Sequence, residues 1–138
     1  MSKRVLFVDD EDWSVTPYFE TLQDRNIEID FAEDSDQAID FLRKKEYDLI
    51  VMDIMFAPGK TMGDNVQPRR AGSTLLSKIR KNEIPGLKTK TDVPVLVLTA
   101  VTNGLVLDSI RDLHVREICR KPAAFDEVID KIFSVLGT

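Results

Sequence analysis

Cysteine, histidine and tryptophan each occur once in these 138 residues, as Cys119, His114 and Trp13. A lone cysteine excludes an internal disulfide and a thiolate metal cluster. A lone histidine excludes a metal site built on two imidazoles and leaves His114 as a surface loop residue. No apolar run approaches the roughly 20 residues that cross a bilayer. Met1-Ser2-Lys3-Arg4 leads directly into an apolar strand, not into a signal-peptide core. Positive charge is in deficit: 19 basic against 24 acidic residues give a net charge of −5, which disfavours nucleic acid as a direct partner. Arg69-Arg70 is too short a pair to change that. What remains, 43% hydrophobic and 31% charged, is the composition of a soluble globular protein, and it fits a reducing cytoplasm. The length suits one domain over residues 1–138 with a sizeable core.

What is present is organised by apolar runs that end in acid. Val5-Leu6-Phe7-Val8 runs into Asp9-Asp10, and Leu49-Ile50-Val51-Met52 runs into Asp53. Continuous apolar runs of this length read as strands buried on both faces of a parallel sheet. Val95 to Leu98, ending at Thr99, reads the same way; residues 28–31 form a short second strand and Glu117 to Cys119 the fifth. Helical patterns lie between them. The first spans residues 14–24, with Pro17 in its first turn, where a missing N–H does little harm. The second follows Asp34 and Gln37, a capping-box pair, with Ala38, Phe41 and Leu42 inward. The third spans 72–81, the fourth 104–113, and the fifth starts at Ala124 with Phe125, Val128, Ile129, Ile132, Phe133 and Leu136 at helical spacing. Fivefold alternation of strand and helix predicts an α/β, doubly wound, five-stranded parallel sheet with helices on both faces. Right-handed crossovers place every strand's carboxyl end at one edge, and function gathers there.

Asp9, Asp10, Asp53, Thr99 and Lys121 therefore meet at that edge. Carboxylates so gathered repel one another unless a cation sits among them or one stays protonated. Oxygen donors of this kind suit magnesium, and each neighbour suits phosphoryl transfer: a carboxylate can form an acyl phosphate, a lysine supplies a point charge, and a threonine hydroxyl donates a hydrogen bond. Singly, Asp9, Asp10 and Asp53 could be caps, Thr99 a strand end and Lys121 solvated; the set argues against those separate roles.

Nearly the whole chain resembles a receiver domain of a two-component response regulator, with the CheY-like flavodoxin fold. The resemblance rests on VLFVDDE in the first strand, YDLIVMDIM in the third, VPVLVLTA in the fourth and RKP after the fifth. It implies a strand order of 2-1-3-4-5. It implies that Asp53 accepts a phosphoryl group from a histidine kinase or phosphotransfer protein, and that Asp9, Asp10, Asp53 and the backbone carbonyl of Met55 hold Mg2+. It further implies that Thr99 and Lys121 meet the phosphoryl group, that Lys121–Pro122 is cis, and that the protein is a monomer or a phosphorylation-dependent homodimer. The downstream effector is not readable.

Two departures stand out. The glycine that opens the third helix is Gly72, so the loop after the acceptor, residues 54–71, is about ten residues longer than the pattern asks for. The position three before the lysine, Tyr or Phe in the pattern, is Ile118, which has no ring to swing between states. Met55 and Val101 flank the expected path of a hydrolytic water, and neither side chain can hydrogen-bond it. Two rival readings compete. A haloacid-dehalogenase-type phosphohydrolase would use Asp10 and Asp12 after the first strand, but would leave Asp53 idle and needs later acids that only Asp126 and Glu127 offer. A degenerate receiver acting purely as a binding module would lack acids, and none is missing.

Overall fold

The computed structural model describes residues 2–60 and 66–137. Strand and helix alternate as β1 (Arg4–Val8), α1 (Asp12–Gln23), β2 (Glu28–Ala32), α2 (Ser35–Lys44), β3 (Leu49–Met52), α3 (Ala71–Arg80), β4 (Val95–Thr99), α4 (Gly104–Arg111), β5 (Glu117–Arg120) and α5 (Phe125–Leu136). All neighbouring strands are parallel and their order is β2-β1-β3-β4-β5, as the resemblance implied.

Side-chain alternation along the strands divides the core into two layers. Leu6, Val8, Ile50, Met52, Val95 and Val97 face the layer that includes Ala38, Leu42, Leu75, Leu76, Leu107 and Ile110 from α2, α3 and α4. Val5, Phe7, Leu49, Val51, Leu96 and Leu98 face Val15, Leu22, Val128 and Ile132 from α1 and α5. Both faces being covered is why these strands read as unbroken apolar runs. Register then fixes the edge: Val8 lies opposite Ala32 and Met52, and Met52 opposite Val97.

Asp34 accepts from the Gln37 N–H at 2.8 Å, as a capping pair should, but Gln37 Oε1 reaches back to the Glu33 N–H at 2.9 Å instead of to Asp34 itself. The expected start of the first helix is corrected. It begins at Asp12, so Pro17 lies inside the helix and not in its first turn. The reason is Asp9, whose Oδ1 accepts the Glu11 N–H at 2.9 Å, while the Ser14 N–H closes the first turn on the Glu11 carbonyl at 3.0 Å. Pro17 therefore removes an interior helical bond, the one that would reach the Trp13 carbonyl.

The loop after α3 is held by two polar side chains that carried no sequence signal. Thr89, 3% exposed, accepts from the Tyr47 N–H at 3.1 Å and donates to the Lys45 carbonyl at 2.7 Å. Arg80 donates to the carbonyls of Thr91 and Val93 at 2.8 Å and of Leu113 at 2.9 Å.

Both tyrosines are buried: Tyr18 stacks on Phe125 with centroids 5.2 Å apart, and the Tyr47 hydroxyl donates to Asp30 at 2.6 Å. Burial, reinforced by Asp30, pushes the Tyr47 phenol above its ordinary range, and burial followed by the nearby Cys119 does the same for Tyr18. The folded protein thus keeps protons that the unfolded chain releases from about pH 10. The stabilisation is present below that pH and is lost as pH rises above it. In an alkaline titration, phenolate absorbance is expected to appear together with the loss of far-ultraviolet ellipticity; phenolate forming first, in a still-folded protein, would contradict this.

Candidate phosphoryl-acceptor site

Carboxylate oxygens of Asp9, Asp10 and Asp53 lie within 4.8 Å of one another at the carboxyl edge. Asp9 and Asp10 follow β1 and Asp53 follows β3, so adjacent strand tips deliver them; the Asp53 N–H is pinned to the Val8 carbonyl at 2.9 Å and the Asp9 N–H to Ala32 at 3.0 Å. Asp9 is buried, Asp53 half-buried and Asp10 exposed, which leaves the cluster open on one side.

Lys121, immediately after β5, sits among them. Its Nζ is 2.8 Å from Asp9 Oδ2 and 3.3 Å from Asp53 Oδ2. Burial pushes the Asp9 carboxyl above the usual carboxylate range, against the pull of the Lys121 hydrogen bond and the Glu11 N–H. Burial works to lower the Lys121 ammonium, but Asp9 and Asp53 outweigh it and hold it above its ordinary value. The Lys121–Pro122 bond is cis, as expected. Ser14, read from sequence only as the start of a helix, is part of the cluster: its hydroxyl lies 3.3 Å from both Asp9 Oδ2 and Lys121 Nζ. Its position five residues beyond Asp9 and one turn into α1 was the available signal.

Asp53 Oδ1 accepts from the N–H groups of Ile54 at 2.6 Å and Met55 at 3.3 Å, leaving Oδ2 toward Lys121. Thr99 is fully buried at the end of β4, and its hydroxyl oxygen accepts from the Val101 N–H at 3.2 Å. Its carbonyl accepts from the Lys121 N–H at 2.8 Å, tying the threonine and lysine tips together. Ile118 is half-buried on β5 and packs against the core layer that includes Val101 and Val106. Met55 is 44% exposed; with Val101, Leu105 and Val106 it lines a cleft of about 510 Å3 that also touches Arg70 and Ser73. A larger depression of about 800 Å3 lies at the opposite edge, among Lys3, Arg4, Glu28 and Asp48. It holds the Arg4–Glu28 ion pair at 2.7 Å and none of the residues of the acidic cluster.

The acids required by a dehalogenase-type site do not assemble. Asp126 and Glu127 are exposed in the first turn of α5, and Asp12 is exposed at the start of α1. His114 is exposed, and Cys119 is buried with its thiol pushed up by that burial. Gly63, in the long loop, lies outside the described residues. No helix among the described residues is long and apolar enough to cross a membrane.

Fold and site together define a flavodoxin-like α/β protein with an acidic, lysine-countered pocket at the carboxyl edge of its sheet. The sequence matches the family model described as response regulator receiver domain over residues 5–133, and the chain belongs to that family of two-component signalling. It is 28% identical over 129 residues to the transcriptional regulatory protein DltR of Streptococcus agalactiae, covering 94% of this chain and 50% of that protein. The chain thus spans about half the length of the curated relatives it matches. Similar solved structures include a two-component response regulator from Clostridium difficile (TM-score 0.77, 21% identity, 99% of this chain and 97% of that one). A CheY-like receiver domain protein from Methanospirillum hungatei JF-1 is also similar (TM-score 0.78, 17% identity, 99% and 95%). At these identities the likeness establishes the fold.

Proposed function

We propose that this chain is a phosphoacceptor switch in which Asp53 takes a phosphoryl group from the phosphohistidine of a histidine kinase or phosphotransfer protein. The observation that carries the reading is the convergence of Asp9, Asp10 and Asp53 oxygens within 4.8 Å, countered by Lys121. Asp53 Oδ2 would attack phosphorus; the O–P bond forms as the P–N bond breaks, and the electron pair leaves on the donor imidazole. Lys121 lies where it can neutralise a phosphoryl oxygen, and the transition state demands chiefly such positioning and charge. The Thr99 hydroxyl, whose oxygen accepts from the Val101 N–H, can donate its proton to another phosphoryl oxygen.

The donor set fits Mg2+: three hard carboxylates at close range, one exposed enough to leave room for water. Asp9, Asp10, Asp53 and the Met55 carbonyl would hold the ion, which supplies neutralisation of charge on the acceptor and the phosphoryl oxygens. The protein would catalyse only its own phosphorylation and dephosphorylation, and would act in the cytoplasm by changing its affinity for an effector protein.

Incubation with acetyl phosphate and Mg2+ should add one phosphoryl group per chain, and Asp53→Asn should abolish it. An unchanged mass, or labelling that survives Asp53→Asn, would remove the acceptor assignment.

Met55 and Val101 line one cleft beside the acceptor and offer no side-chain hydrogen bond to an attacking water. The aspartyl phosphate should therefore be long-lived. Met55→Asn with Val101→Glu is expected to shorten its half-life by about tenfold, the worth of one good hydrogen bond in the transition state. Loss of label after removal of the donor measures it, and an unchanged half-life would refute the idea.

A further inference from the structure

The segment that follows the acceptor is strapped to the start of α2. Ala57 forms a parallel bridge with Asp34, and its carbonyl accepts the Ser35 N–H at 3.1 Å. The Lys60 N–H donates to Asp36 Oδ2 at 2.8 Å. Gly59 has φ +72°, and a Cβ there would stand 2.5 Å from Asp36 Cγ, so the close seat of the strap on Asp36 requires glycine. Phe56, 1% exposed, anchors the strap in the core between these ties and the acceptor. The other end of the strap is the acceptor itself, since the Ile54 and Met55 N–H groups clasp Asp53 Oδ1. Ser35, whose N–H makes one of the ties, has a fully buried hydroxyl without a hydrogen-bond partner among the described residues. A buried polar group left unpaired disfavours the arrangement that contains it.

We infer that the phosphorylation state of Asp53 is transmitted along residues 54–60 to the N-terminus of α2. The inference rests on Asp53 being the acceptor. An ionised carboxylate holds N–H donors about twice as strongly as a neutral carbonyl oxygen does. Conversion of Asp53 to a mixed anhydride therefore weakens its hold on Ile54 and Met55, and the new phosphoryl oxygens compete for the same donors. The backbone displaced there cannot be absorbed at Phe56, because a packed core does not deform continuously. The displacement passes to the next attachments, Ala57 on Ser35 and Lys60 on Asp36. These contacts give the two states the difference in interaction that any switch requires, by a route that needs no aromatic ring at position 118.

Amide hydrogen exchange on the full chain, with and without phosphorylation by acetyl phosphate and Mg2+, tests this. The Ser35 and Lys60 amides are expected to change their exchange rate several-fold on phosphorylation. Asp36→Ala, which removes the Lys60 acceptor and lies outside the acidic site, should be phosphorylated to the same stoichiometry by mass but lose the response at Lys60, while Ser35, still tied to Ala57, keeps its own. Ser35→Pro is the second variant: it deletes the N–H that reaches Ala57 at the first helical position, where proline is tolerated, after an Asp34 already extended at φ −146° and ψ 175°. A phosphorylated wild type with unaltered exchange at both amides, or an Asp36→Ala protein whose Lys60 amide keeps the wild-type response, overturns the inference and leaves the acceptor assignment standing. A wild type that takes up no phosphoryl group brings down the acceptor assignment and this inference with it.

Discussion

Gly72→Ala is expected to destabilise the protein by about 2–4 kcal/mol and to slow phosphorylation of Asp53 well beyond what the lost stability explains. A Cβ at position 72 would lie 2.6 Å from Ile54 Cα and 2.8 Å from the carbonyl oxygens of Asp53 and Ile54. All of these are backbone atoms, so no side chain can rotate away to make room. The same approach brings the Gly72 N–H to the Ile54 carbonyl at 2.8 Å, which joins the start of α3 to the residue after Asp53. To admit a methyl group, either α3 moves off the sheet or the Asp53–Ile54 peptide moves, and the second displaces the Ile54 N–H that holds Asp53 Oδ1 at 2.6 Å. Gly104→Ala is the matched control. It opens α4, and a Cβ there meets nothing within 4 Å. It should leave stability unchanged or raise it by about 0.4–1 kcal/mol through the unfolded chain. Urea unfolding and acetyl phosphate labelling of both variants decide the matter. A Gly72→Ala protein as stable as the control would mean that α3 and the end of β3 are less tightly joined than the distances show.

Gly72 also shows what the sequence makes legible and what it hides. It was identifiable as the glycine opening the third helix, but its reason, close passage of two backbones, is a tertiary fact without a local trace. Fold class followed from apolar runs ending in acid, because a sheet covered on both faces leaves a period-free signature of that kind; the strand order was legible only through the resemblance to receiver domains. The site residues followed because strand tips at one edge must meet. Pro17 was misplaced for the opposite reason. The helix start is set by the Asp9 carboxylate, and a side chain engaged in the site gives no sign in sequence that it also closes a turn. Ser14 was missed on the same account, since its partner Lys121 is 107 residues away. The strap of residues 54–60 was read as loop because irregular segments have no period; its bonds to Ser35 and Asp36 are to another element and could not be inferred from within it.

Removing the cation from the acidic cluster should have the other large effect. Lys121→Met is expected to lower stability in divalent-free buffer by about 2–3 kcal/mol, below the 3–5 kcal/mol of a fully buried broken pair because one side of the cluster is open to solvent. Asp9, 2% exposed at its side chain, would lose its 2.8 Å partner and Asp53 its 3.3 Å partner, while three carboxylates stay within 4.8 Å of one another. Phosphorylation by acetyl phosphate should fall by about 100-fold or more, the usual result of deleting one preorganised charge from a phosphoryl site. Lys121→Arg separates the two roles. Its charge should restore most of the stability, but a planar fork does not reproduce a compact ammonium that touches Asp9, Asp53 and Ser14 at once, so labelling should stay slow. If Lys121→Arg recovers stability and labelling together, any cation suffices at this position and the lysine has no positional role. If Lys121→Met is as stable as the parent in divalent-free buffer, the acids relieve their repulsion without it, and the electrostatic account of the pocket fails at its centre.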